Sequence, residues 1–285
     1  MAFTLHSHSG EFCPGHAKDQ LEDIVKQAIS LDNPQAALEA LPPRHEAYLV
    51  EAQRLQREYA SQIHILIGFE AEFIRPNCAA HVRKLAEHPV VDYFIGSVHY
   101  VHSTPIDYNK EMFATAREAS SRKTEESLYE DYYDLQYDML KELRPRVVGH
   151  FDLVRLMSED PARDVRQWKG VWERILRNLA LAREQDGWLE VNSAGLRKGL
   201  AEPYPGRIIA EEWIKLGGKF TFCDDSHGIA QVATNYARTV TYLESLGIKE
   251  VWCLKRTPNS GVDGTKRATV EEVSVPLSVF RENFP

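Results

Sequence analysis

The chain has no block of basic residues, no Cys-x-x-Cys pair and no Gly/Ser-rich linker. No apolar run approaches the ~20 residues that a membrane span requires. These absences exclude several classes of protein. With 34 basic and 42 acidic residues the formal charge is −8, so neither duplex nucleic acid nor an anionic membrane surface is expected as the main partner. A small anionic substrate would need positive charge or metal gathered locally. The four cysteines, Cys13, Cys78, Cys223 and Cys253, are far apart in sequence, which fits a reducing compartment rather than a disulfide framework. A basic stretch leading into an apolar one is missing at the N-terminus, so secretion is not expected and a cytoplasmic location is. Internal repeats and low-complexity tracts are also missing, which makes a single domain over residues 1–285 the economical organisation.

A real core is present: 43% of the residues are hydrophobic, enough for a large α/β domain. Short β-rich runs fall at Ala2–His6, Ile63–Glu70, Asp92–Val98, Arg146–His150, Trp188–Asn192, Lys219–Asp224 and Glu250–Leu254. Amphipathic stripes lie between most of them: Leu21, Ile24, Val25, Ala28 and Ile29; Leu128, Tyr132, Leu135, Met139 and Leu143; Val171, Ile175 and Leu179; Val232, Tyr236, Val240 and Leu243. About seven strands alternating with helices predict parallel βαβ units closed into a TIM-like barrel.

Potential metal ligands collect at the ends of those strands. His6 and His8 close the first, Glu70 closes "HILIGFE", His99 follows "YFIGSV", His150 and Asp152 follow "RVVGH", and Asp225 and His227 follow "FTFCDDSH". In parallel α/β folds the C-terminal strand ends form one rim, so residues scattered along the chain converge there. Side chains two apart on a strand share a side, which lets His6 and His8 hold one ion. Glu70 and Asp225 add hard oxygen ligands able to bridge two cations. A mixed His/carboxylate set suits a hydrolytic site in which metals generate hydroxide near neutral pH. His45, His64, His81 and His88 lack a strand-end context and read as surface or helix-end residues. His102 is ambiguous.

The blocks "HSHSGEFCPGHA", "IGFEAEF", "IGSVHYVHSTPIDY", "VVGHFDLVRL", "EVNSAGLRKGLAEPYP" and "FCDDSHGIAQV" together resemble the histidinol-phosphate phosphatase branch of the PHP (polymerase and histidinol phosphatase) family, in particular its fungal members. The resemblance runs in order from His6 to about Val232. It implies a distorted seven-stranded (βα) barrel with up to three divalent metals at its rim, zinc first, with manganese or iron as alternatives. Matched by motif, the ligands are His6, His8, His16, Glu70, His99, His150, Asp225 and His227; His16 enters only through the resemblance. The implied reaction is hydrolysis of L-histidinol phosphate to L-histidinol and phosphate, a late step of histidine biosynthesis, with Asp225 or His227 moving a proton. Phosphate also needs cationic groups, and Arg155 and Arg197 both follow rim strand ends, where a guanidinium grips phosphate oxygens bidentately. The helix expected after Gly228 would add N-terminal backbone donors. Glu72 and Asp152 are candidate partners for the amine and imidazole of the substrate.

The chain departs from the family pattern in two places. A second strand ending in an acidic residue and a ligating histidine is expected soon after the first helix. Instead "DNPQAALEALPPRHEAYLVEAQRL" has no apolar strand run and passes into a helical stripe at Tyr48, Ala52, Leu55 and Tyr59. Loss of that strand would leave unpaired edges and remove a ligand, so a catalytically impaired family member is the alternative function; His45, preceded by Pro-Pro-Arg, is a poor substitute ligand. Tyr100 stands where many relatives have a further histidine. An amidohydrolase-like hydrolase on a similar barrel is a further alternative, weakened because no lysine ends a strand.

Overall fold

The βαβ alternation written in the sequence is what the computed structural model contains. It describes residues 34–258 and 268–284. The first expected strand, the first helical stripe, Cys13 and the three opening histidines lie outside those residues. Helix α1 spans Pro34–Glu58, so the segment that departs from the family pattern is helical, and no strand is found between residues 34 and 67.

Five parallel strands follow: β1 (Gly68–Glu72), β2 (Tyr93–Ser97), β5 (Val147–Val148), β6 (Trp188–Asn192) and β7 (Lys219–Cys223), in the order β1-β2-β5-β6-β7. Between β2 and β5 lies a small hairpin, β3 (Tyr100–Val101) with β4 (Thr104–Pro105). The connections carry α2 (Ala79–Ala86), α3 (Lys110–Ala119), α4 (Glu125–Leu143), α5 (Lys169–Glu184), α6 (Ala194–Arg197), α7 (Arg207–Lys215) and α8 (Tyr236–Ser245). A hairpin of β8 (Glu250–Pro258) and β9 (Ala268–Pro276) precedes α9 (Leu277–Asn283).

Helix α4 starts where the sequence prescribes. Thr124 accepts a hydrogen bond from the Ser127 amide while the Ser127 side chain returns to the Thr124 amide, a reciprocal cap. Its stripe of Leu128, Tyr132, Met139 and Leu143 is buried, as are Val171, Ile175 and Leu179 of α5.

Alternation gives the sheet two chemically different faces. Ala71, Val148, Leu189, Val191, Phe220 and Phe222 meet the helices in the main core. On the other face, register places Glu70 beside Ile95, Ile95 beside Val147, Val147 beside Trp188 and Trp188 beside Lys219. Ile95, Val147 and Trp188 of that row pack against Leu254, Trp252 and Val270 of the β8–β9 hairpin. One step toward the C-terminal ends, the same face carries Glu72, Ser97, Glu190 and Thr221, then Asn192 and Cys223. The face changes from apolar to polar along the strand direction.

Two expectations need correction. The run Glu250–Leu254 is not a parallel barrel strand: β8 is longer and pairs antiparallel with β9, and among the described residues no ladder joins it to β7. The described residues thus form an α/β fold with a central parallel sheet of five strands. The second concerns the helix after Gly228. A short turn at Ile229–Gln231 is followed by Ala233 and Asn235 at φ 59° and 63°, left-handed values that an α-helix does not accommodate. Helix α8 therefore starts at Tyr236, and Val232 is solvent-exposed. No helix among the described residues is long and apolar enough to cross a membrane.

Candidate metal centre

Glu70, on the polar face of β1, His99, just past β2, and His150, just past β5, bring one ligand atom each to within 4.8 Å of one another. His150 Nε2 is 3.0 Å and His99 Nε2 3.6 Å from the same oxygen, Glu70 Oε1. The two imidazole rings meet edge to face with centroids 4.6 Å apart. Convergence at adjacent strand ends follows from the 5 Å spacing of a parallel sheet, roughly the span of two ligands about one ion.

Behind His99, Glu72 Oε2 lies 2.6 Å from Nδ1 and Glu72 Oε1 accepts from the His99 amide at 3.0 Å. A carboxylate only accepts, so Nδ1 carries a proton, and Nε2, which faces Glu70, is the nitrogen placed to meet a cation. Burial opposes a charge on this imidazole, but Glu72, Glu70 and Asp107 outweigh it and push the pKa of His99 up to about 10. The pocket is thus strongly cation-seeking, and two imidazoles with a carboxylate fit a divalent transition metal. Glu72 is engaged with the histidine through both carboxylate oxygens.

Asp225 and His227 follow β7 in a left-handed turn, Asp225 having φ 48°. His227 Nδ1 is 2.9 Å from the Asp225 carbonyl and 3.6 Å from Asp225 Oδ1. They form a pair at the same rim but are not within the compact three-ligand group. Arg197 donates to the Asp224 and Asp225 carbonyls at 2.8 and 2.7 Å. Arg155 donates to Asp152 Oδ2 at 2.8 Å and to the Glu202 and Pro203 carbonyls, and lies over the Tyr204 ring. Asp152 Oδ2 also accepts from the Gly206 amide, so this carboxylate holds a neighbouring loop. The Tyr204 phenol is pushed well above its ordinary value, chiefly by burial, with Asp152, Asp107 and Asp225 adding to it and Arg155 opposing.

His6, His8 and His16 lie outside the described residues. His45 sits on α1 with its ring 6.4 Å from that of Phe69, which alternates with Glu70 on β1 and therefore marks the opposite face. His64 and His81 are exposed and His88 is at a helix end. His102, in the β3–β4 turn, pairs with Asp131 at the surface.

The residue that sequence reasoning passed over is Glu190. It is fully buried on β6 and accepts from the His150 amide at 2.6 Å, from Asn192 Nδ2 at 2.8 Å and from Cys223 Sγ at 2.9 Å. The available signal was a carboxylate in the middle of "WLEVN", a strand buried at all five positions.

Known proteins resemble this chain. A profile described as the PHP domain matches residues 4–194. The probable histidinol-phosphatase of Schizosaccharomyces pombe is 36% identical over 96% of this chain and 96% of its own length. The histidinol-phosphatase of Saccharomyces cerevisiae is 26% identical over 84% of this chain and 87% of its own. Among solved structures, the histidinol phosphate phosphatase of Lactococcus lactis, crystallised with zinc, L-histidinol and phosphate, superposes with a TM-score of 0.59 at 20% identity, covering 74% of this chain and 77% of that one.

Proposed function

This chain belongs to the PHP domain family, and from that premise we propose that it is a metal-dependent phosphomonoesterase that hydrolyses L-histidinol phosphate to L-histidinol and phosphate. The observation that carries the reading is the convergence of Glu70, His99 and His150 at the C-terminal end of a parallel sheet. The names of the relatives, and the zinc, histidinol and phosphate bound by the Lactococcus lactis enzyme, supply the substrate class.

Glu70, His99 and His150 would hold one divalent cation, with His6, His8, His16, Asp225 and His227 completing a cluster of up to three, zinc being the first choice. Such cations lower the pKa of water to near neutrality and offset phosphoryl charge. The chain's own groups do the rest. Glu72 fixes the tautomer of His99. His227 donates Nδ1–H to the Asp225 carbonyl, which leaves the Nε2 lone pair for one of two roles, ligand to a cation or, where no cation takes it, carrier of the proton that the leaving alkoxide receives. Arg155 and Arg197 are proposed for the phosphate oxygens. Both are already oriented by the chain's own oxygens, so binding spends little on ordering them.

One observation favours a second reading. Helix α1 occupies Pro34–Glu58, where the family pattern places a strand and a ligating histidine, and a member that binds metal without turnover would fit that change. Metal analysis of the purified chain, combined with phosphate release from L-histidinol phosphate and from p-nitrophenyl phosphate, separates the two. Selective release from L-histidinol phosphate supports the first. Bound metal with no release from either ester would sink it and leave the second.

A further inference from the structure

A carboxylate excluded from water costs several kcal/mol unless its lone pairs are met. Glu190 is 0% exposed, in the middle of β6, one strand in from the edge of the described sheet. Its partners explain its presence. Oε1 takes the main-chain amide of His150 at 2.6 Å and the Asn192 side chain at 2.8 Å, and Oε2 takes the Cys223 thiol at 2.9 Å. These partners come from the ends of β5, β6 and β7. Asn192 in turn accepts from the Ala194 amide with its other side-chain atom, Oδ1, at 2.8 Å, so the fixed geometry extends to the start of α6.

The amide that Glu190 holds belongs to the residue at which the chain leaves β5. That strand is only two residues long, so the ladder alone defines little of the turn that carries His150. Gly149 lies between Ser97, Ile95 and Glu190, with no room for a Cβ against the Ser97 hydroxyl, and its amide donates to the Gly96 carbonyl at 3.0 Å. The turn is thus pinned twice, by the Gly149 amide to β2 and by the His150 amide to β6. A charge-assisted bond is the stronger kind.

We infer that Glu190 is the positioning residue for His150: its buried carboxylate sets where the imidazole meets Glu70, and through that the affinity of the centre for metal. The inference rests on the metal centre proposed above. Outer partners that orient ligands in this way typically govern metal affinity 10- to 100-fold.

The test titrates the metal-stripped chain with Co(II) alone, reading the visible bands for affinity and ligand geometry, and measures thermal unfolding of the metal-free chain in parallel. In Glu190→Ala, Co(II) binding should weaken by about tenfold or more with altered bands. Glu190→Gln, which keeps an oxygen for the His150 amide, should recover most of the affinity. If Glu190→Ala does not fold, Glu190→Asp carries the same expectation, because it keeps the charge but withdraws the carboxylate by one methylene. Co(II) affinity within twofold of the parent in a folded Ala or Asp variant would overturn the inference, as would a Gln variant as weak as Ala. A parent chain that binds no Co(II) would sink the metal centre itself.

Discussion

Replacing Glu72 by glutamine removes one charge and almost no volume at a contact of 2.6 Å with His99 Nδ1. Two consequences follow. First, the basicity that Glu72 lends the imidazole is lost, and metal affinity should fall about 10- to 100-fold, equivalent to about 1.4–2.7 kcal/mol. Second, the pH dependence of stability should change. In the metal-free chain His99 titrates at about 10 against an ordinary 6.5. A folded-state pKa above the unfolded one means that the ion pairs stabilise fully below pH 6.5, and that this stabilisation is lost as pH rises through about 10. At about 1.4 kcal/mol per unit, the loss between pH 6.5 and 9 is at most about 3 kcal/mol. Glu72 lies nearer than Glu70, 2.6 against 3.6 Å, so Glu72→Gln should remove at least half of that slope. Urea unfolding of the metal-stripped parent and variant at pH 6.5, 7.5 and 9, with a Zn(II) competition titration, measures both effects. A variant with the parent's pH slope and the parent's affinity would refute the reasoning.

Three further outcomes are expected. Gly149→Ala forces a Cβ against the Ser97 hydroxyl and 3.0 Å from Ile95 Cγ2; a cost of about 1–3 kcal/mol should appear as a lower Tm, and an unchanged Tm would contradict the packing described. Arg197→Lys keeps the charge but cannot span the Asp224 and Asp225 carbonyls. Phosphate release should drop on the order of 10²-fold with Tm little changed, and parental turnover would show that the bracing is dispensable. Thr124→Ala removes the cap of α4, whose Oγ1 accepts from the Ser127 amide at 3.2 Å, and should cost about 1 kcal/mol in urea unfolding without altering metal binding.

What the sequence made legible follows from period and burial. Trp188–Asn192 is a strand over the same residues as expected, and Lys219–Cys223 and Tyr93–Ser97 differ only at their ends, because runs buried on both sides carry a strong apolar signal. The convergence of Glu70, His99 and His150 was legible because strand ends are. The partner of β8 was not: "ATVEEVSVP" mixes polar and apolar residues with more than half of its positions exposed, so it offers no apolar run to detect. The expected start of the last stripe failed for a different reason. Val232 stands four residues before Tyr236 by spacing alone, while Ala233 and Asn235 take left-handed conformations that spacing cannot reveal. Glu190 was hidden because its role depends on donors from three strand ends brought together only by the fold.

Side-chain direction along β6 alternates strictly, and a slip of one residue against β5 would exchange Glu190 with its neighbours Leu189 or Val191. A carboxylate would then face the apolar helices, and the His150 amide would meet a methyl group. Such a slip leaves Glu70, Glu72 and His99 in place but withdraws the support of the His150 amide, so the strength of metal capture at the proposed centre would report the β5–β6 register. A rapid-mixing experiment that follows ion uptake during refolding would time the moment at which the strands reach their final alignment.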